Sequence, residues 1–160
     1  MRFKTKRDLM VVTHNFPQAS RDNVHMLWHT DYWDGPLSGL CIWNGEKYWF
    51  HNVFEEHFEA REDHQCSQQN RYYCLFMLTP QELQEKEYWH GEFRKYVGNH
   101  SDYDEDGQRA GTIHPQSEHY KFYNRYKDHV ETFKPRIDRV RAWFTDDPNI
   151  MNVDEYMMSR

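Results

Sequence analysis

Histidine most invites a chemical reading of this chain: there are 11, and imidazole serves both as a transition-metal ligand and as an acid–base group near neutral pH. The densest set of partners follows His29, with Asp31 and Asp34 close behind it. One nitrogen and two carboxylates in so short a stretch, completed by His51 or His90, would suit a divalent metal. They would equally suit a histidine base whose pKa is set by burial against carboxylate proximity. His25 does not join them, because along a strand it lies about 13 Å from His29 at ~3.3 Å per residue. Glu87 and His90 are spaced i, i+3 on a helix, as in carboxylate-bridged metal bundles, but there the pair occurs twice and here once. The candidate catalytic set is therefore His29, Asp31, Asp34 and His90, with His29 and Asp31 as candidate metal ligands. The plainer alternatives are a turn in which Asp31 and Asp34 bond local backbone N–H groups, and a His90 packed against a sheet.

Asp102, Asp104 and Asp106 followed by Gly107 match the first half of a calcium loop, whose oxygens come from positions one, three and five with glycine at six. The second half fails, since position twelve is Ile113 and not a bidentate Glu. Residues 119–141 carry seven Lys and Arg against three acids. With Tyr120, Lys121, Arg125 and Lys127 they have the composition of a single-strand nucleic-acid platform. The chain's net charge of −6 argues against duplex binding. Ser38 lacks the strand–turn–helix setting of a nucleophile elbow, and no phosphate loop or dinucleotide fingerprint is present. No cofactor is predicted beyond a possible divalent metal.

The aromatic residues supply a different candidate. Tyr32, Trp33, Trp43 and Trp49, with Trp28, cluster around one loop and hairpin, and such side chains anchor protein interfaces. The first expectation is thus a binding module using this aromatic surface, with a protein partner or a second copy of the chain as its ligand. The alternative is a metal-assisted or His/Asp acid–base enzyme on a small molecule, which requires the named residues to meet in one pocket. Single-stranded nucleic-acid binding by the 119–141 face is the third reading.

These groups must be held by a fold, and several elements are legible. Val24–His29 alternates as a strand, placing Val24, Met26 and Trp28 on one face. Asn44-Gly45 between apolar runs predicts a hairpin over 39–51, pairing Trp43 with Glu46 and Leu40 with Trp49. Arg71–Leu78 reads as a central strand. Thr79-Pro80-Gln81-Glu82 is a capping box opening a helix over 80–97, whose inward side carries Leu83, Trp89, His90, Phe93, Tyr96 and Val97 while Glu85, Glu87 and Glu92 lie away. A second amphipathic helix is expected over 116–133, and a last strand over 139–144. Residues 55–70 read as an exposed insertion, a short helix and a polar loop, and 1–22 and 149–160 as mobile termini.

Length and composition frame the whole. A chain of 160 residues predicts one domain. Leu, Ile, Val and Phe are under a fifth of it, but 6 Trp, 11 Tyr and 10 Phe supply the buriable area. No apolar run approaches a membrane span. The basic N-terminus is followed by too short an apolar segment for a leader, and the three cysteines form no Cys-x-x-Cys pair, so a cytoplasmic setting with reduced thiols is expected. The predicted fold class is α+β: a mainly antiparallel sheet packed against two amphipathic helices.

Overall fold

The computed structural model describes residues 6–32, 35–59 and 67–145. Its elements are α1 (Lys6–Asn15), β1 (His25–Tyr32), β2 (Pro36–Trp43), β3 (Glu46–Glu59), β4 (Ser67–Phe76), α2 (Pro80–Tyr96), β5 (Asp102–Tyr103), β6 (Arg109–Ala110), α3 (Gln116–Tyr126) and β7 (Val140–Thr145). The strands form one antiparallel sheet in the order β6-β5-β1-β2-β3-β4-β7, and the fold is α+β as expected. Among the described residues no helix is long and apolar enough to cross a membrane.

Local chemistry explains the best-defined elements. Asn44 and Gly45 take φ of 52° and 78° at the β2–β3 turn, and the strands pair Trp43 with Glu46, Cys41 with Tyr48 and Leu40 with Trp49. At the start of α2 the Thr79 hydroxyl accepts from the Glu82 N–H at 3.2 Å while the Glu82 carboxylate accepts from the Thr79 N–H at 2.8 Å. Two orphan donors of the first turn are thereby satisfied.

Four expectations are corrected. Residues 55–59 and 67–70 are not a helix and loop but the continuation of β3 and β4, with Glu55 opposite Arg71 and Glu59 opposite Ser67; the backbone ladder extends although the composition is polar. Residues 1–22 do not read as a loose terminus where described, because α1 buries Leu9 and Val12. Helix α3 stops at Tyr126, short of Phe133, and Glu85 of α2 holds the chain beyond it, taking His129 at 2.9 Å and the Thr132 hydroxyl at 2.7 Å. Finally, the inward side of α2 carries Glu82 and Lys86 as well as His90, all buried, and Glu85 is half-buried. Glu82 is held there by Arg139 at 2.7 Å. The tail 149–160 lies outside the described residues.

The sheet's two faces carry separate cores. One is formed by Met26, Cys41, Phe50, Tyr73, Leu75, Ala142 and Phe144 with Ala19 and Val24 from the segment before β1. The other gathers Trp28, Leu40, Trp49, Cys74, Phe76 and Val140 beneath Val12 of α1 and Phe133. Met26 and Trp28 therefore do not share a face. A bulge at Leu27 sets two steps of β1 against one of β2, so Met26 pairs with Cys41 and Trp28 with the next residue, Leu40. The bulge brings the strands together at Gly39, where an added Cβ would lie 2.1 Å from the Trp28 carbonyl oxygen. The outer edge of β7 is bordered by residues 16–19: Trp143 donates its backbone N–H to Pro17 and its indole N–H to Phe16, and accepts from the Ala19 N–H.

Candidate functional site

Between the sheet and the two helices lies a cavity of about 370 Å³, a size typical of small-molecule sites. Its floor is built on two neighbouring rows of side chains set by the strand register, of which Trp28, Trp49, Asp31, Ser38 and His51 line the cavity. The first row runs Trp28, Leu40, Trp49 and Phe76 across β1 to β4. The second, two residues along on β2, β3 and β4 and three along on β1, where the register shifts again after His29, runs Asp31, Ser38, His51 and Cys74. Apolar and polar groups thus lie side by side on one face. Lys86, Trp89, His90 and Phe93 of α2, Phe122 and Tyr126 of α3, and His129, Glu131 and Phe133 from the following segment complete the walls.

His90 is the most constrained of these groups. Its Nε2 lies 2.6 Å from Asp102 Oδ1, and the other Asp102 oxygen accepts from Arg94 Nε at 2.8 Å. The ring stacks on Trp28 with centroids 4.0 Å apart and planes within 8°, and its other side faces Phe93 at 5.9 Å. Burial would raise the Asp102 pKa, but bonds from His90 and Arg94 outweigh it and hold the carboxyl below its ordinary value. The carboxylate accepts, so Nε2 carries the hydrogen and Nδ1 the lone pair. Nδ1 has no hydrogen-bond partner among the described residues, and the side chain lines the cavity. Burial lowers the His90 pKa despite the Asp102 charge, so the imidazole is neutral near pH 7.

The polar row adds three groups. Ser38 Oγ shares a 2.7 Å hydrogen bond with Thr30 Oγ1 and lies 3.4 Å from Asp31 Oδ2 as donor. His51 makes no hydrogen bond among the described residues, and burial lowers its pKa against the raising effect of Asp31. On the opposite wall Lys86 is buried, its Nζ 2.9 Å from Glu131 Oε2 and 4.0 Å from the Trp49 ring centroid. Burial would raise the Glu131 pKa, yet the Lys86 bond and charge lower it overall, so the carboxyl is ionised.

The sequence-predicted residues divide. Asp31 and His90 line the cavity. His29 borders it, but the register sets His29 opposite Gly39, in the row of Phe50 on the other face, and its ring packs on Tyr32 and Tyr103 at 5.1 and 5.6 Å. Its Nδ1 is sealed with no partner, and burial, helped by Arg109, pushes its pKa down to about 4. Asp34 and Trp33 lie outside the described residues. Among the described residues no three His, Cys, Asp or Glu side chains meet as a metal site requires, including His29 and Asp31.

Asp102 is committed to His90 and Arg94, and Asp104 Oδ1 accepts from the backbone N–H groups of Asp106 and Gln108, each at 2.9 Å. Those contacts make an Asx-type turn of the acidic loop. The aromatic candidates among the described residues do not form one surface: Trp49 is cavity floor, Trp43 packs with Tyr48 against the other core, and of these only Tyr32 is exposed, under the Arg109 guanidinium at 4.6 Å. On α3, Tyr120 is exposed, while Lys121 pairs with Glu118 at 2.7 Å and Arg125 with Glu92 at 3.3 Å; Lys127 is exposed at the C-cap.

Lys86, Ser38, Glu131 and the pairing of His90 with Asp102 were not singled out as site features from the sequence. One signal was available: the hairpin register predicted from Asn44-Gly45 continues to Ser38 opposite His51. No protein-family model matches the chain, and neither a curated protein nor a solved structure is significantly similar to it.

Proposed function

We propose that the protein binds a small molecule in this cavity and acts on it by general acid–base catalysis, with His90 as the base. The observation that carries the reading is the His90–Asp102 pair: a neutral imidazole, held in one tautomer, on a side chain that lines an aromatic-walled cavity. Such a group takes a proton from bound substrate at Nδ1 while the Asp102 carboxylate stabilises the imidazolium that forms. Arg94 holds the carboxylate and so fixes the ring's orientation. Asp102 and Arg94 act as positioning residues. The aromatic walls exclude water and strengthen that electrostatic interaction. Burial of Trp28 and Trp49 supports this interior reading over an aromatic docking surface.

The test begins with a fragment library screened by ligand-observed NMR and by quenching of tryptophan fluorescence, since Trp28, Trp49 and Trp89 line the cavity. Bound fragments are then followed in D2O for proton exchange or turnover. His90→Gln is expected to retain binding and lose about 10²–10⁴-fold in rate, and Asp102→Asn to shift the rate profile to lower pH. Fragments that bind without any His90-dependent exchange or turnover would leave a binding protein and remove the enzyme reading. Absence of any cavity ligand would remove both.

A further inference from the structure

The cavity's charge and walls define the class of molecule that fits it. Three carboxylates, Asp31, Glu85 and Glu131, line it against one lysine. His29, His51 and His90 all have lowered pKa values and add no positive charge near neutral pH. Glu131 is answered by Lys86, and Glu85 is held by His129 and Thr132. Asp31 has no ion-pair partner among the described residues; its one side-chain contact is the 3.4 Å hydrogen bond from Ser38. Burial lowers the His51 pKa and Asp31 opposes it; burial raises that of Tyr126 on the α3 wall and Asp31, after Glu131, adds to it. An exposed carboxylate lining an aromatic chamber is, among the described residues, a counter-charge without its counterpart.

The protein itself shows how the walls treat a cation. The Lys86 ammonium sits 4.0 Å from the Trp49 ring centroid and 5.5 Å from that of Phe133, with Glu131 as its carboxylate. Cations over aromatic faces are held by the ring quadrupole, most strongly where water is excluded. We propose that the cavity takes a small organic cation, an amine or quaternary ammonium, with Asp31 as its counter-ion and the aromatic side chains as its cage. This arrangement repeats, for a ligand, what Glu131 and Trp49 do for Lys86. The inference rests on the cavity being the ligand site, and it names the substrate class for the chemistry assigned to His90.

Three soluble probes of similar size separate the cases: benzyltrimethylammonium, benzyl alcohol and phenylacetate, each titrated against the full chain by tryptophan fluorescence and calorimetry. The cation is expected to bind about tenfold or more tightly than the other two, by the combined worth of cation–π and charge pairing. Asp31→Asn is expected to weaken the cation by about tenfold and leave benzyl alcohol unchanged, an internal check that the variant is folded. Equal affinity for the three probes, tighter binding of phenylacetate, or a cation affinity indifferent to Asp31→Asn would overturn the inference while leaving the cavity as a binding site. Failure of all three probes to bind or compete with any fragment would overturn both.

Discussion

On β3, Phe50 faces one side of the sheet with no exposed surface, while its neighbours Trp49 and His51 face the other and form part of a cavity floor. The first side is closed by buried aromatic packing: Phe50 meets Tyr73 and Tyr73 stacks on Phe144 at 4.8 Å, while the Tyr73 hydroxyl donates to the Pro36 carbonyl and the buried Cys41 thiol, its pKa pushed up to about 12, donates to that of Tyr48. The second side has an apolar row of the same kind, but beside it runs a row of Asp31, Ser38 and His51 that the helices do not cover completely. Strand alternation lets one backbone serve both purposes, because every second residue answers to a different neighbour. Both faces carry a buried core, and the polar row that borders open space lies on the second.

That division can be broken most directly by substitution on β3. Phe50→Ala removes a fully buried ring and is expected to cost about 3–5 kcal/mol in urea denaturation. His51→Phe, at the adjacent position, is expected to change stability by about 1 kcal/mol or less, since the imidazole makes no hydrogen bond among the described residues and borders open space. A loss from His51→Phe as large as that from Phe50→Ala would mean that both faces are packed alike.

Acid sharpens the comparison next. His29 has a folded pKa of about 4 against about 6.5 when unfolded. The unfolded chain therefore takes the proton first, and this contribution to stability is intact above pH 6.5. It declines as the pH falls toward 4, by up to about 3 kcal/mol. His51 and His90, also lowered, act in the same direction. Melting temperature measured across this range should fall less steeply for His29→Leu than for the parent, and equal slopes would show that His29 is not held neutral by burial.

The smallest effect belongs to the acidic loop, away from both cores. Asp104→Ala removes an acceptor of two backbone N–H groups and is expected to cost about 1 kcal/mol. Cavity binding should be unchanged, and a loss of ligand affinity in this variant would tie the loop to the site through the Asp102–His90 pair.

The fold was legible where a short sequence dictates local geometry. Asn44-Gly45 set the hairpin register, and Thr79, Pro80 and Glu82 set the start of α2. The site was less legible because it depends on exceptions to pattern. The bulge at Leu27 leaves no mark in the alternation of β1, yet it moves Trp28 to the face opposite Met26. Lys86 and Glu82 were absent from the inward side read off the sequence, and only Glu131, Trp49 and Arg139, all distant in sequence, make their burial tolerable. His90 was recognised as a candidate and Asp102 as a possible calcium ligand, but their pairing arises from β5 lying beside β1, which two-residue strands do not announce.

The contact between residues 16–19 and β7 bears on how the chain assembles during synthesis. The indole of Trp143 reaches the Phe16 carbonyl across 127 positions of sequence. The segment before β1 therefore leaves the ribosome long before its partner strand and waits through the making of the entire sheet and both covering helices. Closure of such distant ends is entropically slow and belongs late in folding. Residues 16–19 also border the free edge of β7, which would otherwise offer unpaired N–H and C=O groups to a neighbouring chain. The interval before closure is thus the period in which nascent copies are most open to edge-to-edge association, and the same contact that completes the fold ends that exposure.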